Sequence, residues 1–123
     1  MVKIKRVYEP SDKGDGLRVL VMRLWPRGIR KERVDLWLRE LGADLDMLKA
    51  WKAGTIGWPE RKRRYLAGLK RPEAAAQLAE LRELAARGTV TLLCSCKDER
   101  QCHRSILKSA VGRARPRRRR QAE

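Results

Sequence analysis

The chain has 123 residues, 42% of them apolar, and a formal net charge of +16. That suits one domain with a modest core. It excludes a membrane-spanning helix, because no apolar run approaches the ~20 residues a span needs. The opening MVKIKRVYEP lacks the apolar centre of a secretion signal.

Residues 2–8 (VKIKRVY) alternate apolar and basic side chains. This predicts a half-exposed strand at a sheet edge, where Lys discourages edge pairing. Residues 9–16 (EPSDKGDG) form a turn-rich loop. Its eight residues are too few for the usual parallel crossover, so strand one is expected to run antiparallel to strand two or to leave the sheet.

Residues 17–25 (LRVLVMRLW) form the strongest strand signal. Val19, Leu20, Val21 and Met22 are apolar on both faces, which predicts a central position. Arg23 and Trp25 share a face at its C-terminal end, and Pro26-Arg27-Gly28 ends it. Ligands of open α/β sheets bind beyond such ends. If strands two and three are parallel neighbours, Arg23 and Arg27 approach Cys94 and Lys97 in one crevice. The structural alternative pairs Arg23 with an acid such as Asp35.

Residues 33–41 place Val34, Trp37, Leu38 and Leu41 at helical spacing, with Gly42 as the stop. Asp44 or Asp46 caps the next helical turn, whose stripe is Leu45, Leu48 and Trp51. Pro59 suits a first helical position. Trp58, Tyr65, Leu66 and Leu69 are the apolar members of that helix, and Arg61 to Arg64 read as a solvated basic face. Pro72 opens the cleanest helix, running to Arg87, with Ala74, Leu78, Leu81 and Ala85 as its buried stripe. Gly88 ends it.

The segment 89–111, TVTLLCSCKDERQCHRSILKSAV, gathers all three cysteines and the only histidine. Val90, Leu92, Cys94 and Cys96 lie at period two on one strand face. Asp98 caps a helix starting near Glu99. Cys102 pairs with Ile106 and His103 with Leu107 at spacing four, leaning toward the sheet. Arg100, Arg104 and Lys108 form a basic stripe on another face. The helix N-terminus favours an anion.

Three readings follow. Cys94 to Arg100 has the C-x5-R spacing of cysteine phosphatases, in which a thiolate and an Arg cradle an oxyanion. Against it, no Gly eases the loop. Alternatively, Cys94, Cys96, Cys102 and His103 have zinc-ligand chemistry, though C-x-C-x5-C-H lacks two separated pairs. Lastly, small buried cysteines are common core residues. An odd, clustered set of cysteines argues against a disulfide framework, so a reducing cytoplasm is expected.

Residues 113–123 hold six Arg and one Glu, which leaves +11 on the preceding residues. Pro and repelling Arg predict a disordered tail after a single α/β domain spanning 1–112. The charge attracts polyanions without sequence specificity. A charge-rich surface suited to a hot source is the bland alternative.

The segments IKRVYEPSDKGDGLRVLVMRLWPRG, VDLWLREL and VTLLCSCKD resemble the YeaO-like family, domain of unknown function 488. The likeness spans residues 2–111, and RLWPRG is its most specific motif. It implies a small three-layer α/β fold and no established activity. The family pattern carries an acid where this chain has Met22. His103 matches both branches of the family, whereas Cys94, Cys102 and Arg104 match only one. That favours binding by Arg23, Arg27, Lys97 and His103.

The combined expectation is an α/β domain with a three- or four-strand, mostly parallel or mixed sheet. Its site binds an anionic small molecule or phosphate ester. Cys94 is the candidate nucleophile and His103 a proton donor or orienting group. Arg23, Trp25, Arg27, Lys97, Asp98, Arg100, Cys102 and Arg104 are the ligand-binding set. No cofactor and no membrane partner are expected, and no residue is assigned as a metal ligand. Catalysis and simple binding both stay open. A nucleic-acid accessory protein and a structural zinc protein are the alternatives.

Overall fold

The computed structural model describes residues 1–113. The Arg-rich tail foreseen beyond the domain therefore lies, past Arg113, outside the described residues. The elements are strands β1 (Val2–Arg6), β2 (Leu17–Leu20), β3 (Leu36–Trp37) and β4 (Val90–Cys94), with helices α1 (Leu45–Lys52), α2 (Trp58–Gly68), α3 (Pro72–Arg87) and α4 (His103–Arg113). The strands form one sheet in the order β1-β4-β2-β3, and every pairing is parallel. This is an α/β fold. Among the described residues, no helix is long and apolar enough to cross a membrane.

Strand alternation divides the core in two. Val19, Val90 and Leu92 face a large cluster with Tyr65, Leu78, Leu81, Ile106 and Leu107 from the helices. Leu20 and Leu93 face the other way, against Val7 and Ile29, with Trp25, Val34 and Trp37 packed on them. The sheet thus lies between α-helices and a thinner layer of turns. β4 is buried along its whole length, as its unbroken apolar run requires.

β1 is an edge strand, but the expected antiparallel path is wrong. β4 inserts between β1 and β2, and both run parallel to it. Residues 7–16 make the return without an α-helix. A return along a strand of this length needs only ~16 Å at 3.3 Å per residue. The loop is tied down over β1: Lys3 Nζ donates to Gly14 O at 2.8 Å, and Lys5 Nζ to Pro10 O at 2.9 Å. Lys5 also pairs with buried Asp15 at 3.0 Å. Gly16 then enters β2 at φ 63°, where a Cβ would sit 2.2 Å from Thr89 O. No other residue fits that position.

The predicted helix over 33–41 is replaced by β3 between two short 3-10 turns, Lys31–Arg33 and Arg39–Leu41. Its apolar residues serve opposite faces: Val34 and Trp37 join the small core, Leu38 and Leu41 the large one. Asp35 N donates to Arg18 O at 2.8 Å and Leu38 N to Leu20 O at 2.9 Å. Edge pairing with β2 therefore outweighs the local helical spacing. β2 is also shorter than its apolar run, since the chain leaves the sheet after Val21 N donates to Leu93 O.

α3 has the predicted bounds. Gly88 follows it with φ 179°, so it is extended rather than left-handed. Asp44 caps α1 by accepting from Met47 N at 2.8 Å. Arg61 is only 2% exposed and is not part of a solvated basic face. Arg63 and Arg64 of that face both bind Glu60.

Candidate functional site

β4 ends at Cys94, and α4 starts at His103. Between them Asp98 accepts from Arg100 N at 3.0 Å and caps a 3-10 turn, Glu99–Gln101, rather than the α-helix itself. The turn folds Cys102 and His103 back over the strand end. Four donor atoms, from Cys94, Cys96, Cys102 and His103, then lie within 4.8 Å of one another. Cys94 Sγ is 3.5 Å from Cys96 Sγ and 4.0 Å from His103 Nδ1, and Cys102 Sγ is 3.9 Å from the same nitrogen. All three cysteines are free; Cys94 and Cys102 are buried and Cys96 half-buried.

His103 is oriented from behind. Its Nε2 lies 2.5 Å from Val21 O. A carbonyl only accepts, so Nε2 carries the proton and the Nδ1 lone pair faces the sulfurs. Burial pushes the imidazole below its ordinary pKa, which keeps it neutral. Tyr65 packs its ring against His103 at 5.3 Å and donates its hydroxyl to Leu41 O at 2.7 Å. Burial holds that phenol far above its usual range.

The thiols are unequal. The neighbouring thiols of Cys102 and then Cys96 hold Cys94 well below the ordinary thiol value, despite its burial. The neighbouring Cys94 and Cys96 thiols, with burial, push Cys102 up. Of the buried pair, Cys94 is thus the thiol favoured as thiolate and Cys102 the one disfavoured.

Two buried arginines brace the turn. Arg104 Nη1 donates to Lys5 O at 3.1 Å and to Cys94 O at 3.2 Å. At 2% exposed, Arg104 is a strut beneath the site, not part of the basic outer stripe. Arg61 Nη1 donates to Gln101 O at 3.0 Å, and its guanidinium lies 4.6 Å from the Trp51 ring and 5.8 Å from Trp58. The spacing of Trp58, Arg61 and Tyr65 along α2 was the available signal for this burial.

A cleft of about 360 Å³ opens on Cys94, Cys96 and His103, with Met22, Arg23, Leu24, Trp51, Lys52 and Arg61 among its walls. Arg23 is held at 2.8 Å by Glu40 and at 3.2 Å by Gly42 O. Of the other predicted ligand residues, Cys102 joins the cluster and Asp98 and Arg104 shape its turn, while four lie apart from the cleft. Arg27 and Lys97 are exposed and do not line the cleft. Trp25 donates to Ile29 O at 2.8 Å and packs edge-on against Trp37 in the small core. Arg100 lines a separate groove beside Lys62 and Ser109. Lys52, Trp51, Arg61 and the Val21 carbonyl were missed as site elements.

The model for DUF488-N3a, described as the active DUF488-N3 subclade, matches residues 2–115. The chain is similar to the uncharacterized protein YeaO of Escherichia coli, 35% identical over 108 residues that cover 86% of this chain and 92% of YeaO. It is equally similar to the uncharacterized proteins Mb3100c of Mycobacterium bovis and Rv3073c of Mycobacterium tuberculosis. Each is 35% identical over 108 residues, covering 86% of this chain and 89% of the relative. No solved structure matches. A family match over nearly the whole chain, together with these relatives, means that the chain belongs to the YeaO-like DUF488 family.

Proposed function

We propose that Cys94, Cys96, Cys102 and His103 bind zinc, and that this centre pins the end of β4 to the start of α4. The carrying observation is the convergence of four soft donors with the His103 lone pair turned toward them. Tetrahedral zinc, with ~2.3 Å bonds to sulfur and ~2.0 Å to nitrogen, needs ligand atoms ~3.6–3.8 Å apart. Three of the six separations, 3.5, 3.9 and 4.0 Å, are within a few tenths of an ångström of that, and all six lie within 4.8 Å, so the cluster closes on a metal by side-chain shifts of up to about 1 Å. The Val21 carbonyl plays the outer-shell part that metal-bound imidazoles require. Binding would release the thiol protons, so affinity rises with pH. Four protein ligands suit a structural metal.

The test is the metal content of natively purified protein, followed by cobalt exchange. One zinc per chain and a tetrahedral, thiolate-rich cobalt spectrum are expected. Protein that retains no metal and gives no such spectrum would overturn the reading.

The lowered Cys94 pKa, at a cleft wall, favours a second reading: a thiolate that contacts or attacks an oxyanion. It predicts that Cys94 is alkylated at acidic pH without chelator. Alkylation only after chelation would remove it.

A further inference from the structure

The cleft above the cysteine cluster has a one-sided chemistry. Its charged lining residues, Arg23, Lys52 and Arg61, are all cationic. Two are fixed in advance: Arg23 by Glu40 and Gly42 O, Arg61 by Gln101 O and the Trp51 and Trp58 rings. Lys52, at the last turn of α1, is exposed and makes no ion pair among the described residues. Beside these charges stand apolar groups, Leu24 and Trp51, and Leu24 is 57% exposed. With Met22, Ala43 and Leu48 they make a lining that is mostly apolar around a few cationic groups, which suits an amphipathic ligand.

We propose that this cleft binds a small organic anion with a planar apolar body, the body lying against Trp51 and Leu24 and the charge meeting Lys52 in the field of Arg23 and Arg61. At about 360 Å³ the cleft suits a single-ring ligand rather than a dinucleotide. A three-thiolate zinc centre adds one negative charge below. Arg104, donating to Cys94 O, lies behind that centre and offsets it. Glu40 compensates Arg23, so the uncompensated charge at the cleft comes from Lys52 and Arg61. Zinc is not required for this binding, so the inference goes beyond the metal reading.

The test is calorimetric titration of the full chain with benzyl phosphate, phenylacetate, benzyl alcohol and benzylamine. Zinc is measured in the same preparation. The two anions should bind saturably, and the neutral and cationic probes at least about tenfold more weakly. Whichever anion binds tighter names the headgroup, phosphate or carboxylate. Lys52→Glu and Leu24→Asp, both at exposed positions, should each weaken anion binding by about tenfold or more. Equal binding of benzyl alcohol, no heat from either anion, or unchanged affinity in both variants would overturn the proposal. Anion binding without zinc would leave it standing and sink the metal centre. Zinc without anion binding would do the reverse.

Discussion

The imidazole Nε2 of His103 lies 2.5 Å from the carbonyl oxygen of Val21, so the first residue of α4 is bonded to the residue that follows β2. One hydrogen bond fixes the tautomer, aims Nδ1 at the thiols, and ends the β2 ladder on its own side. In the proposed structural zinc centre, removing the Nδ1 ligand should lower metal affinity and, with it, the stability the metal lends the fold. His103→Gln is expected to lower zinc occupancy, and chelator should then lower the melting temperature of the parent more than that of the variant. Parallel metal analysis and calorimetry check this.

The three thiols should react in a fixed order. Cys96 is half-buried and lines the cleft, whereas Cys102 is fully buried. With chelator present, Cys96 and Cys94 should be alkylated first and Cys102 only on unfolding. Peptide mass spectrometry across a denaturant series reads that order. Early labelling of Cys102 would contradict it.

Asp15 should govern acid stability. It is 3% exposed and bonded to Lys5 and Arg18. Burial works to raise its pKa. The Lys5 and Arg18 hydrogen bonds and that from Asp12 N outweigh it, and the folded value lies below 3.8. The folded state therefore holds fewer protons on this group than the unfolded chain. Its contribution is complete above pH 3.8 and is lost as pH falls through the lower folded value. Asp15→Asn should cost about 3 kcal/mol near neutrality, because it leaves Arg18 buried without its partner. It should also flatten the acid limb of a denaturation profile.

Arg61 joins α2 to the site turn. Arg61→Met keeps most of the bulk against Trp51 but leaves Gln101 O without its donor. A loss of about 2 kcal/mol is expected, with faster cysteine alkylation in the native state. Urea denaturation measures the first effect and labelling kinetics the second.

Gly42 allows the chain to cross close to the cleft wall. A Cβ there would sit 2.2 Å from Arg23 N and 2.6 Å from the Met22 carbonyl carbon. These are backbone atoms, so relief requires main-chain movement. Gly42→Ala should destabilise by roughly 2 kcal/mol or more. At Gly88 and Gly112 an added Cβ meets nothing within 4 Å, and neither φ is left-handed. Gly88→Ala should stay within about 0.5 kcal/mol of the parent.

Much of this protein was legible locally. α3 follows from Pro72, its apolar stripe and the glycine after Arg87. β4 and the face shared by Val90, Leu92 and Cys94 follow from period-two geometry. The cysteine–histidine group could be assembled on paper because its members lie within ten residues and one turn joins them. What local pattern cannot carry is the partner. The spacing of Val34, Trp37, Leu38 and Leu41 fits a helix, but two of these residues meet one core and two the other, which only the docking of β3 on β2 decides. β1 and β2 look too close for parallel strands until β4, about 70 residues downstream, inserts between them. Arg61 and Arg104 read as solvated charge because their acceptors, Gln101 O and Lys5 O, lie 40 and 99 residues away. By itself the sequence determined which residue types cluster at the turn. Tertiary packing decided which charges reach it, because a buried guanidinium goes where distant carbonyls can satisfy it.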